Sequence, residues 1–402
     1  MASPPVRWKA YEGRDVGPQS SMRFLVDAGP AVLAERTGIG TYVWNLLRHL
    51  PIVDPGNDYL AWYVHFRSIL EPRRHFDGLG VIEKRVVLPS RLLARAGRLG
   101  IPLVELVASC DVVFGTNFVP PSSRRTPFVV TVHDLAFRLF PETAPQAVRW
   151  WTRAVERSVR SATRILVPSE ATRADLLRLY EVDPRDVVVV PLGVDHTVFS
   201  PASDERIHDV RARFGIHGPY LVFLGRHQRK NFDGMLRAFA AIPDRIRPGL
   251  VVTGSAPWTR DGSDYDGPAM EAVPERVRRQ VSFVGFVPSE DAVALLSGAL
   301  GLAFPTLYEG FGLPALEAMA CGAPVLTSNT SSLPELVGDA AVLVDPSEDD
   351  SIVDGLVQIV TDASLRERLR AAGLQRAARY EWGTTAKATA DVLHEAVAAA
   401  GR

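Results

Sequence analysis

The chain reads as an α/β protein built from two doubly wound, parallel-sheet domains. Short apolar runs bounded by turn residues alternate with amphipathic stretches along most of the sequence, the pattern of buried parallel strands covered by helices. The alternation breaks once, at the turn Pro191-Leu192-Gly193-Val194-Asp195, and then starts again. At 402 residues, 47% of them hydrophobic, the chain is long enough for two such domains with separate cores.

Taken in order, Phe24-Leu25-Val26 opens the first cycle as a strand. Gly38-Ile39-Gly40 follows as a glycine loop, and Tyr42 to Leu50 has its apolar residues at helical spacing. Further strands are expected at Tyr59 to His65, Val81 to Leu88, Val112 to Gly115, Phe128 to Val132 and Ile165 to Pro168, with Asp186 to Val190 running into the Pro/Gly turn. The second cycle predicts strands at Tyr220 to Gly225, Leu250 to Gly254, Val281 to Gly285, Leu302 to Pro305, Pro324 to Thr327 and Ala341 to Val344. An alanine-rich helix ends the chain near Ala400. Residues 1–21 mix charge, proline and polar groups and read as a loose tail without a secretory signal.

A net charge of -1 gives no global attraction to nucleic acid, so no nucleic-acid partner is expected. Cys110 and Cys321 stand far apart with no Cys/His spacing for zinc, which fits a reducing cytoplasm. The longest uncharged stretch, Ala292 to Tyr308, is broken by glycines and Pro305 and falls short of the ~20 apolar residues of a membrane span. It reads as a buried helix followed by a strand.

The most informative segment is Tyr308-Glu309-Gly310-Phe311-Gly312-Leu313-Pro314-Ala315-Leu316-Glu317, where two carboxylates stand eight residues apart around a glycine turn. Gly310 and Gly312 let the backbone approach a ligand, and Pro314 suits the first helical position. The helix N-terminus favours an anion, and Glu309 and a first-turn Glu317 can each accept two hydrogen bonds from a diol. Phosphate next to sugar hydroxyls points to a nucleotide sugar. The plain alternative is a helix-dipole role for Glu317 and a strand end at Glu309.

Through this motif, and the following Cys321-Gly322-Ala323-Pro324-Val325-Leu326, the chain resembles the retaining GT-B glycosyltransferases with an E-x7-E signature, the glycosyl transferases group 1. The likeness runs from about Met22 to the final helix. It implies two Rossmann-like domains facing across a cleft: an acceptor-side domain over 22–195, a nucleotide-sugar domain over 196–375, and a last segment, 376–402, packing back on the first. It also implies that Glu309 contacts the transferred sugar and Glu317 the ribose, with Gly310, Phe311, Gly312 and Leu313 beside the donor. Gly38 and Gly40 would approach the phosphates from the first domain. They lack a G-x-G-x-x-G continuation, so a dehydrogenase is not expected. Thr131-Val132-His133-Asp134-Leu135 matches a further family segment, which puts His133 near the reacting carbon of the donor sugar.

Arg226, Arg229 and Lys230 follow a strand, and strand ends are where open α/β sheets bind ligands. By resemblance an Arg and a Lys here neutralise the leaving diphosphate; Arg226 with Lys230 is the favoured pair and Arg229 the alternative. Asp264-Tyr265-Asp266 has the form of a metal-holding D-x-D but sits in a polar loop, so no metal and no cofactor are expected. Lys84, Arg85, Arg91, Arg95 and Arg98 form a basic stretch with no acid. A solvated helix face is the plain reading of it, and a helix lying on an anionic membrane the other.

The resemblance implies a retaining hexosyltransferase, first of all a mannosyltransferase using GDP-mannose, acting on a glycan or lipid-linked acceptor from the cytoplasm or the inner membrane face. The alternatives are a UDP-sugar-dependent transferase, a GT-B nucleotide-sugar epimerase and a non-catalytic sugar-nucleotide-binding subunit.

Overall fold

The computed structural model describes residues 21–33, 37–64, 75–86, 101–141, 148–225, 228–254 and 268–401. Its first sheet has seven parallel strands, β1 (Arg23–Asp27), β2 (Asp58–Val64), β3 (Ile82–Val86), β4 (Val112–Gly115), β5 (Phe128–Thr131), β6 (Arg164–Val167) and β7 (Val187–Val189), in the order β3-β2-β1-β4-β5-β6-β7. The order reverses between β1 and β4. All pairings are parallel, for example Leu25 beside Leu60 and Val113. The inner strands are covered on both faces and read as apolar runs, whereas the edge strand β3, Ile-Glu-Lys-Arg-Val, stays partly exposed.

The second sheet has six parallel strands, β8 (Tyr220–Leu224), β9 (Gly249–Thr253), β10 (Val281–Gly285), β11 (Gly301–Phe304), β12 (Val325–Ser328) and β13 (Ala341–Val344), in the order β10-β9-β8-β11-β12-β13. Its reversal lies between β8 and β11. Every strand expected from the sequence is present, with ends shifted by a residue or two. The stretch before Tyr308 is a buried helix, Ser289–Ser297, followed by β11. Among the described residues no helix is long and apolar enough to cross a membrane.

Two helix starts differ from expectation. The first helix spans Gly38–Val53, so Gly38 and Gly40 lie in its first turn and not in a preceding loop; the Thr37 side chain caps it by accepting from the Gly40 amide. The motif helix spans Leu313–Ala320 behind Gly312, which has φ +105°. Pro314 is thus the second helical residue, and Glu317 lies beyond the first turn. Gly312 takes the left-handed conformation that glycine tolerates and occupies the cap itself.

The last helix, Trp382–Ala400, packs on Gly38–Val53 and on the first sheet. It is pinned by the Thr385 hydroxyl, which donates to the Pro191 carbonyl (2.8 Å), and by His394 Nε2 against Asp54 Oδ2 (3.0 Å). Gly193 lets Trp382 close in, since a Cβ there would lie 2.3 Å from the Trp382 nitrogen. The tail 1–20 and the basic residues Arg91, Arg95 and Arg98 lie outside the described residues.

Candidate functional site

Both sheets present the C-terminal ends of their strands to a common cleft, and each contributes at its reversal point, where open α/β sheets form ligand crevices. In the second sheet the loops after β8 and β11 meet there. Lys230, from the first loop, donates through Nζ to Glu309 Oε1 in the second at 2.6 Å. The pair is largely buried, with side-chain exposures of 17% and 10%. The ammonium also lies 4.6 Å from the centre of the Phe304 ring, a cation–π contact.

Glu309 is held from several sides. The Thr306 hydroxyl lies 3.0 Å from the same Oε1 and 2.8 Å from the Arg229 carbonyl. The Glu309 amide donates to Ser331 Oγ, and Ser332 Oγ donates to the Glu309 carbonyl. Ser331 has φ +54°, an uncommon non-glycine conformation that places its hydroxyl beneath the motif. Thr306, Ser331 and Ser332 carry no sequence signal of their own, because they reach Glu309 only through the turn and the end of β12.

Arg229 is engaged elsewhere: its Nη1 donates to Asp134 Oδ2 across the cleft at 3.0 Å. This binds it to the loop after β5, while Lys230 faces the motif. Arg226 lies outside the described residues.

Gly310 explains why the motif needs a glycine. A Cβ on it would lie 1.8 Å from the His133 carbonyl oxygen, so the two loops can meet only with hydrogen in that place. The Gly310 carbonyl then accepts from Ser169 Oγ (2.6 Å) and Thr172 Oγ1 (3.0 Å), at the start of the helix Glu170–Leu179. Glu335 adds a second clasp by accepting from the amides of Glu170 and Ala171, both at 3.1 Å. Gly38 faces the same junction, within 3.8 Å of Leu313 Cδ1 when given a Cβ. Phe311 is buried, its ring 5.9 Å from that of Tyr380. His133, Gly38, Gly310, Leu313, Lys230 and Glu309 thus lie around one cleft. Gly40 sits a half-turn inside its helix.

His133 is buried, and its Nε2 donates to the Thr116 carbonyl at 2.7 Å, which leaves Nδ1 as the acceptor nitrogen of the neutral ring. Burial holds its pKa below the ordinary histidine value. The ring packs edge-on against Tyr42 (4.9 Å) and Phe118 (5.7 Å). Burial acts oppositely on Glu317, pushing its carboxyl up to about 7 against the lowering influence of Lys230.

This arrangement offers a buried cation, two carboxylates of different character and a neutral imidazole. The amides of Gly312 and Leu313 find no acceptor among the described residues. Such a set can hold a diphosphate through Lys230 and amides while carboxylates accept from sugar hydroxyls. Among the described residues no group of three or more His, Cys, Asp or Glu could hold a metal ion; Asp264 and Asp266 lie outside them.

Comparison with known proteins bears on this geometry. The family model described as glycosyl transferases group 1 matches residues 209–376, which contain the whole second sheet, and that described as glycosyltransferase family 4 matches residues 36–198. The chain is 34% identical to O-antigen chain mannosyltransferase B of Escherichia coli, over 86% of this chain and 93% of that protein. It is 29% identical to the MMP alpha-(1->4)-mannosyltransferase of Mycolicibacterium hassiacum, over 71% of this chain and 69% of that one. The sucrose-phosphate synthase structure from Thermosynechococcus elongatus superposes with a TM-score of 0.76 at 21% identity, covering 94% of this chain and all of that one. The two reversal-point sheets, the motif clasped between them and these matches lead to one conclusion: the chain belongs to the glycosyl transferases group 1 and is a GT-B glycosyltransferase.

Proposed function

We propose that this glycosyltransferase takes mannose from GDP-mannose and transfers it, with retention of anomeric configuration, to a hydroxyl of a glycan or lipid-linked acceptor. The observation that carries the donor class is the Lys230–Glu309 pair at the reversal point of the second sheet. A buried cation there suits a diphosphate, and a carboxylate beside it suits the hydroxyls of the attached sugar. Mannose is favoured because the relatives from Escherichia coli and Mycolicibacterium hassiacum are named as mannosyltransferases.

In this reading the donor lies on the second domain, with Glu317 accepting from the ribose hydroxyls and Glu309 from the sugar. Lys230, with Arg226 as its partner, stabilises negative charge building on the departing diphosphate, and the amides of Gly312 and Leu313 assist. That cationic set supplies what a divalent ion would otherwise supply, so transfer proceeds without one. A leaving phosphate oxygen on the attacked face takes the acceptor proton, and contact of the two domains excludes water as a competing nucleophile. Neutral His133 lies where the sugar meets the first domain. The reaction takes place in the cytoplasm, and with a lipid-linked acceptor the basic stretch around Arg91 to Arg98 brings the first domain to the membrane.

The test is turnover with GDP-, UDP-, ADP- and dTDP-sugars, followed by release of the nucleoside diphosphate. GDP-mannose is expected to give the highest kcat/KM. A higher value for a UDP-sugar transfers the proposal to that donor. Interconversion of free nucleotide sugars without acceptor would instead show an epimerase.

A further inference from the structure

The reversal point of the first sheet carries a carboxylate that the donor chemistry does not use. Asp27 ends β1, and the order reverses between β1 and β4. Its carbonyl accepts from the Thr116 hydroxyl at 2.6 Å, and the Thr116 carbonyl receives His133 Nε2 at 2.7 Å. Three neighbouring strand ends are therefore tied into one unit, and His133 is common to that unit and the donor cleft. The Asp27 side chain accepts from the Gly29 amide through Oδ1 at 3.0 Å, and Oδ2 has no partner among the described residues.

No described cation is paired with this carboxylate. Its in-register neighbour on β2 is Trp62, and Lys84 follows only one strand further, on β3. Burial pushes the carboxyl up to about 6, so it is mostly ionised at neutral pH with one acceptor oxygen unused. Asp27 is half-buried and its Oδ2 is not among the buried polar atoms that lack a partner, so that oxygen is open to solvent and to a ligand. A turn made only for the Gly29 amide needs no charge: an asparagine would serve it equally well.

Resting on the function proposed above, we infer that Asp27 binds the acceptor: its carboxylate accepts hydrogen bonds from a vicinal diol of an acceptor sugar and so sets the attacking hydroxyl in the cleft near His133. The site would take a pyranoside with adjacent free hydroxyls. It lies at the first sheet's reversal point as the Lys230–Glu309 site lies at the second's, so acceptor and donor meet across the clasped loops.

The experiment uses methyl α-mannoside as acceptor and the donor identified by turnover, with the full-length wild type, D27N and D27S. D27N keeps an oxygen for the Gly29 amide and removes only the charge; D27S, whose hydroxyl can also accept there, serves if D27N does not fold. Acceptor KM is expected to rise at least ~10-fold, with kcat reduced less than ~3-fold and the calorimetric donor Kd within ~3-fold of wild type. An unchanged acceptor KM, or a donor Kd that rises in step with it, overturns the inference. So does a wild type that binds donor but never transfers to the mannoside. A wild type that binds no nucleoside diphosphate sugar defeats the function proposed above instead.

Discussion

Lys230 and Glu309, 79 residues apart, meet at 2.6 Å because the sheet order reverses between the strands that precede them. Each group compensates the other's buried charge. Truncating one therefore leaves a buried ion, whereas an isosteric change separates charge from packing.

Glu309→Gln keeps an oxygen toward Lys230 and Thr306 and removes the negative charge. Turnover is expected to fall about 100-fold or more, while donor affinity changes only a few-fold, since Glu309 is assigned to the reacting sugar and not to the nucleotide. Steady-state kinetics beside calorimetry separates the two quantities. A raised KM at normal kcat would remove Glu309 from the reacting centre.

Gly310→Ala should abolish the clasp between the domains. The added methyl would stand 1.8 Å from the His133 carbonyl, and neither loop is a flexible side-chain end that can step aside. A misplacement of about 1 Å can cost ~100-fold in rate, so kcat/KM is expected to drop by at least that much. Small-angle scattering should show a more open particle. Unaltered activity would mean that the contact is not kept during turnover.

Much of this was legible in the sequence. Most strands announce themselves as apolar runs, because inner parallel strands are buried on both faces, and the Glu309 to Glu317 motif is contiguous; the edge strand β3, with Glu83, Lys84 and Arg85 in it, is the exception. Contacts made across the cleft were not legible: Ser169 and Thr172 to Gly310, Arg229 to Asp134, and Glu335 to the Glu170 amide join residues about a hundred or more positions apart. The motif helix starts one residue before Pro314, a difference the sequence does not resolve because proline at the first or second helical position obeys the same steric rule, and only the φ of Gly312 decides between them. Asp27 is a single acid ending a strand, with no motif around it to mark it in the sequence.

Glu317 gives a pH signature. Its carboxyl is pushed up to about 7 from an ordinary value near 4.5, so the folded chain holds this proton more tightly than the unfolded one. The resulting contribution to stability is fully present below about pH 4.5 and is lost as pH rises through about 7. Glu317→Gln lacks the effect, so its stability relative to wild type should climb between pH 5 and 8, by on the order of 3 kcal/mol at most. Urea unfolding at several pH values measures this. Measured above about pH 8, where the wild-type carboxyl is ionised, the same variant should bind GDP about 10-fold more weakly, because the ribose loses a charged acceptor. Parallel stability profiles, or unchanged GDP affinity, would contradict the assignment.

Chelation should leave transfer intact, since Lys230, Arg226 and main-chain amides are assigned to the diphosphate. Activity is measured before and after EDTA. If activity disappears and manganese or magnesium restores it, Asp264 and Asp266 become the residues to test, and the cationic assignment fails.

The most direct test of a diphosphate-sugar site at Lys230 follows GDP-mannose by proton NMR with wild type and Lys230→Gln. Wild type is expected to release GDP and form a new α-mannosyl linkage. Lys230→Gln, folded by thermal melt, is expected to bind GDP at least ~10-fold more weakly and form product at least ~100-fold more slowly. A β-linked product would contradict retention. Equal GDP affinity and turnover in the two proteins would mean that Lys230 does not hold the leaving diphosphate.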